Sequence, residues 1–134
     1  MHRPVATADW FLQHFVKLAN NPEYSVEVSI TLNVGGVLVY GTLIGGKTYF
    51  SAIGDLLSKA NTNMPDVSNQ WKSISDFGSI YQPNPEDEQP AATPEYIHLK
   101  NAKTIVGDSH LSAGPGGWWR GRVAEVSGFN FGSF

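Results

Sequence analysis

The sequence predicts an α+β fold: a curved antiparallel sheet of about five strands, with an N-terminal helix and a two-helix insertion. Three observations lead there. Apolar residues recur at helical spacing near the N-terminus, a strictly alternating segment turns back on itself at a Gly-Gly pair, and strand-like segments resume after a proline-rich acidic stretch. Residues 1–134 read as one domain, with a helical and Pro/acidic-loop insertion at about 49–95.

The first element is "TADWFLQHFVKLA", residues 7–19, with Phe11, Leu12, Phe15, Leu18 and Ala19 on one helical face. Thr7 is the expected N-cap, and "NNP" stops the helix because Pro22 biases Asn21 away from helical dihedrals. In "SVEVSITLNV", Val26, Val28, Ile30, Leu32 and Val34 share one face, while Glu27, Ser29, Thr31 and Asn33 share the other. That is the pattern of a half-buried antiparallel strand. Gly35-Gly36 supplies the positive φ angles of a tight hairpin, and "VLVYGTLI" returns, with Gly41 marking a bend or a close backbone approach. Gly45-Gly46 ends the second strand.

Residues 49–60, "YFSAIGDLLSKA", repeat apolar side chains at helical spacing, and a further helix follows Pro65 with Val67, Trp71, Ile74 and Phe77 inward. Residues 82–95 hold four prolines together with Glu86, Asp87, Glu88 and Glu95, the composition of an exposed loop. "EYIHLKNAKTIVGD" returns to strand, with a turn or bulge near Asn101. "SHLSAGPGG" reads as loop, and "WWRGRVAEVSGFNFGSF" as one long strand or two short ones around Gly128.

Composition narrows the function. The absence of cysteine removes disulfides, zinc–thiolate sites and a cysteine nucleophile. The N-terminal "MHRPVATADWFLQHF" lacks the uninterrupted apolar core of a signal peptide, so a cytoplasmic protein is expected. The net charge of −3 disfavours a dedicated nucleic-acid binder, although the segment from Tyr96 onward sets Lys100, Lys103, Arg120 and Arg122 against only Asp108 and Glu125.

No catalytic or metal motif emerges. "GPGG" lacks the lysine and following helix of a phosphate loop. His98, Asp108 and His110 lack metal-ligand spacing, His2 and His14 have no supporting context, and His98 alternates with Tyr96 and Lys100 on a partly exposed strand face. Adjacent Asp108, Ser109 and His110 do not form a triad, which converges from separate segments. Glu86, Asp87 and Glu88 lack the alternating ligands of a calcium loop. No enzyme activity, cofactor or metal is expected.

"WWRGR" is the remaining candidate. On a strand, Trp119, Gly121 and Val123 face one way and fill a core, while Trp118, Arg120 and Arg122 face the other. Tryptophan and arginine dominate interface hot spots, so Trp118, Arg120 and Arg122, with His98 and Lys100, form the expected partner-binding set. The competing reading has Trp118 packed under the helical insertion and the arginines paired with acidic residues.

Two resemblances follow from these residues. "HFVKLANNPEYSVEVSITLNVGGVLVYGTLIGGKTYF", "YIHLKNAKTIVGDS" and "WWRGRVAEVSGFNFG" resemble, in order and spacing over roughly three-quarters of the chain, the gas-vesicle accessory protein U family. The densest matches are His98 to Asn101, Gly107, Asp108, Trp119 to Gly121, Glu125, Gly128 and Phe129, with no roles assigned. The segment from about residue 51 to 95 carries no part of the match, and the polar, lysine-bearing tail of some relatives does not follow the closing motif. The resemblance implies a non-enzymatic accessory protein in the cytoplasm that promotes or regulates vesicle clustering, through self-association and contact with the vesicle shell or other gas vesicle proteins. A patch of Trp118, Arg120 and Arg122, met by the acidic 86–88 loop of a neighbouring copy, is the expected contact.

At the level of fold, the N-terminal helix with "TLNVGGVLVYGTLIG" and "IHLKNAK" is similar to the Sm-like small barrel, which implies a partial barrel. The alternative function is then single-stranded RNA binding, with Trp118 stacked on a base and Arg120 and Arg122 on phosphates. Fold analogy alone does not carry a function.

Overall fold

A computed structural model describes residues 8–24, 26–60, 68–81 and 93–132. The chain is α+β. Among the described residues are three α-helices and a sheet of six antiparallel strands.

Helix α1 (Trp10–Asn20) is capped by Asp9, whose Oδ1 accepts the N–H groups of Phe11 at 2.8 Å and Leu12 at 3.4 Å. A side-chain oxygen there satisfies amides that have no partner inside the helix. The cap is therefore two residues later than expected, and Thr7 lies outside the described residues. Leu12 and Val16 are the buried side chains of α1, whereas Phe11 is exposed.

Strands β1 (Val28–Val34) and β2 (Val37–Ile44) form the expected hairpin. Gly35 and Gly36 have φ of 60° and 87°, and Asn33 Oδ1 accepts the Gly36 N–H at 3.0 Å. Both turn positions need φ values that side chains resist. Ile30 and Leu32 are fully buried. Thr31, expected outside, is buried as well, and its hydroxyl donates to the Gly132 carbonyl at 2.8 Å.

Helix α2 (Gly46–Ala60) follows, and α3 (Ser68–Asp76) packs on it. Phe77–Tyr81 forms a 3-10 turn in which Phe77, expected inward, is exposed. Pro65, Val67 and the acidic residues Glu86, Asp87 and Glu88 lie outside the described residues, as does the side chain of Trp71.

Strand β3 (Tyr96–Val106) pairs with β2 and carries a bulge at Asn101, whose φ is 53°. The bulge presses on Gly41: a Cβ there would stand 2.8 Å from the Lys100 carbonyl oxygen. The two irregularities read separately from sequence are thus one contact between neighbouring strands.

After a turn at Gly107-Asp108, β4 (Ser109–Ser112) pairs back onto the far end of β3. Expected as loop, this segment is strand because Gly107, at φ 59°, reverses the chain tightly enough for it to pair. Strand β5 (Trp119–Arg122) pairs with the near end of β3 on the same side as β4. A 3-10 turn at Val123–Glu125 breaks the strand before β6 (Val126–Phe131), not the expected Gly128. Val123 is buried there and its N–H donates to the Glu95 carbonyl at 2.8 Å, which turns the chain across the molecule.

Strand β6 pairs with β1, so the hydrogen-bonded order is β4-β3-β2-β1-β6, with β5 also on β3. Among the described residues the sheet stays open: β5 and β6 lie at opposite edges, and no closed barrel forms. The core joins Leu12 and Val16 of α1 to Ile30, Leu32, Val39, Leu43, Ile97, Leu99, Ala102 and Val123, with Trp119 against it. Among the described residues, no helix is long and apolar enough to cross a membrane.

Candidate interaction site

Strand β3 is buried on both faces at its start, since Ile97, His98 and Leu99 are successive and all fully buried. Successive side chains point to opposite faces. Ile97 and Leu99 therefore enter the α1 side of the sheet, and His98 enters the side covered by α2. Tyr49 and Phe50, near the start of α2, place their rings 4.7 Å and 5.9 Å from the His98 ring. The partly exposed His98 expected from alternation is corrected by this cover, which is a tertiary contact.

The register brings the expected site residues together. Arg120 of β5 lies opposite His98, and Arg122 lies opposite Tyr96. Lys100 follows His98 two residues along the same face of β3. Trp118 caps the 3-10 turn Pro115–Gly117 one residue ahead of β5 and is half-buried. Trp119 packs on the core and Val123 lies within it, as the alternation of the strand predicts.

Arg120 remains exposed yet is held in one orientation. Its Nε donates to His98 Nε2 at 3.2 Å. Its guanidinium carbon lies 3.8 Å from the Tyr96 ring centroid and 5.4 Å from that of Phe50. A cation over an aromatic face is attracted by the ring quadrupole. Because Nε2 accepts, His98 carries its proton on Nδ1. Burial pushes the His98 pKa down from 6.5 to about 3, and the Arg120 charge adds to the effect. The imidazole stays neutral and serves as an acceptor that orients the arginine. Burial also raises the Tyr49 phenol above its usual value, with Arg120 pulling the other way.

Of the competing reading of "WWRGR", only a contact of Arg120 with the helical insertion is seen, at the Phe50 ring, alongside its contacts with Tyr96 and His98. Lys100 is half-buried and pairs with the Glu27 carboxylate. Arg122 is exposed, two residues along the same face from Arg120. Arg120 and Arg122 thus bring two guanidinium groups to one face of the β3–β5 edge. Among the described residues, no group of three His, Asp or Glu side chains is placed to hold a metal ion.

A second surface lies where α1 meets β6. Phe11 and Phe15 of α1 meet Phe129 and Phe131 of β6, with ring centroids 5.9 Å apart for Phe11–Phe129 and 4.8 Å for Phe15–Phe131. Trp10 is 79% exposed beside them, and Phe131 is 44% exposed. The sequence signal for this surface is the "GFNFG" spacing, which puts two phenylalanines on one strand face.

A family model described as gas vesicle protein GvpU-like matches residues 9–134, a span that takes in every described element. No curated protein and no solved structure matches the chain.

Proposed function

The chain belongs to the gas vesicle protein GvpU-like family, which makes it a gas vesicle accessory protein, and on that premise we propose that it regulates vesicle clustering by binding rather than by catalysis. Copies associate with one another, and each also contacts the vesicle shell or another gas vesicle protein in the cytoplasm. The family match across residues 9–134 is the observation that carries this reading.

Bridging two vesicles needs two surfaces that do not compete, and two edges of an open sheet supply that arrangement. At the β3–β5 edge, Arg122 and Trp118 meet the shell partner, with Lys100 beside them. Arg120 presents its charge from the same face, and His98 supports Arg120 from within. Contact through exposed cations weakens as salt screens it.

The test is co-flotation of the purified protein with intact gas vesicles, with single-stranded RNA titrated in as competitor. Protein that floats with the vesicles, is not displaced by RNA and is weakened several-fold by Arg122→Gln supports the proposal. Absence from the floating layer, together with RNA binding that falls steeply with salt, would assign the surface to nucleic acid instead.

A further inference from the structure

We propose that β6 is the docking edge for a second copy of this chain, the two β6 strands pairing antiparallel about a two-fold axis centred on Phe129. The inference deepens the self-association proposed above and rests on it.

The backbone sets the requirement. Strand β6 is the last strand in the sheet order. The Gly132 N–H donates to the Ser29 carbonyl at 2.7 Å, and the register runs Ile30↔Phe131, Thr31↔Asn130 and Leu32↔Phe129. In an antiparallel ladder, hydrogen-bonding directions alternate residue by residue. Asn130 and Gly128 therefore address β1, while the N–H and C=O groups of Phe129 and Phe131 point off the sheet. Among the described residues no strand pairs with that side.

Charge separates this edge from its opposite. From Val126 to Phe131 there is no charged residue and no proline. Edges kept from pairing usually carry lysine, proline or an inward charge. The β4/β5 edge carries Asp108 at its turn and Arg120 and Arg122 on its strand. Two copies of β6 meet with no like-charge opposition, whereas β6 offers nothing to a charged partner.

The flanking side chains complete the match. A two-fold axis relating paired antiparallel strands stands perpendicular to the sheet, so both α1 helices fall on one face. Phe129 and Phe131 of each copy then approach those of the other, and Phe11 and Trp10, 42% and 79% exposed, border the same seam. A contact of this symmetry uses the same patch on both copies and closes at two.

Sedimentation velocity over a concentration series tests the proposal on the full chain. The wild type is expected to pass from 14.6 kDa to a dimer that high salt leaves intact. Phe131→Lys should weaken dimerisation at least tenfold, whereas Phe131→Tyr should keep it. Ile80→Lys, at a residue 77% exposed on the helical insertion, should also keep it. A monomer at all concentrations, a dimer indifferent to Phe131→Lys, or a dimer dissolved by salt would overturn β6 pairing.

A nitroxide on Asn130→Cys reports the register independently of whether the lysine variant folds, and its cysteine is the only one in the chain. Strand spacing and rise place the two Cα atoms at 130 about 8 Å apart in the dimer. Dipolar broadening that grows with dimer fraction is expected, and an unbroadened dimer spectrum would refute the pairing. Wild-type protein that floats with vesicles and self-associates, yet whose assembly is indifferent to Phe131→Lys, sinks β6 pairing alone. A β6-dependent dimer that neither binds nor clusters vesicles sinks the proposed function alone.

Discussion

Strands β5 and β6 are consecutive, separated by the short turn Val123–Glu125, yet they end at opposite edges of the sheet in opposite circumstances. Strand β5 is tied down on both faces: Trp119 packs on the core, while Arg120 is held between His98, Tyr96 and Phe50. Strand β6 is tied down on one side by β1 and flanked by rings that remain partly in solvent. The difference lies in which side chains alternate along each strand. An arginine can cross an aromatic surface and still reach water, so it seals β5 while keeping that edge charged. The phenylalanines of β6 have no polar end, so further burial of their rings has to come from beyond the described residues.

The largest effect should come from breaking the anchor of β5. Trp119→Ala should cost about 3 kcal/mol in urea unfolding, against about 1 kcal/mol for the partly exposed Phe131→Ala. Equal losses at the two positions would erase the contrast between them.

The next effect sharpens the β5 side through pH. His98 has a folded pKa lowered to about 3 from 6.5, so the unfolded chain binds the proton that the folded chain refuses. Stability is then full above 6.5 and falls as pH drops from there toward 3. Between pH 7 and 5 this one group should remove about 2 kcal/mol. The difference in stability between wild type and His98→Gln, followed by urea titration at each pH, should change by that amount. A constant difference would mean that His98 is not shielded as described.

The smallest effect on stability belongs to the exposed cation. Arg122→Gln should change stability by less than about 0.5 kcal/mol. A loss of several kcal/mol in thermal unfolding would show that Arg122 braces the fold and is not reserved for a partner.

The same contrast shows what was legible in the sequence. The β1–β2 hairpin was readable because strict alternation and Gly35-Gly36 are local signals. Gly41 and Asn101 were each readable as irregular, but their contact depends on the β2–β3 register, which no local pattern encodes. Strand β4 was missed because its four residues carry a single large apolar side chain, Leu111. The break at Val123 depends on a hydrogen bond to Glu95, distant in sequence. At the site, alternation assigned His98 the right strand face but not its burial, which comes from α2 folding over that face. Phe129 and Phe131 were visible as a pair, but the strand they flank becomes an edge only through the topology of the sheet.

Hydrogen–deuterium exchange on residues 119–122 and 126–131, at low and high protein concentration, is the most direct measurement. Amides of β5 should be equally protected at both concentrations, while the Phe129 and Phe131 amides should exchange readily when dilute and gain protection when concentrated. Protection that grows at β5 while β6 stays unchanged would contradict the assignment of β6 as the open, self-pairing edge.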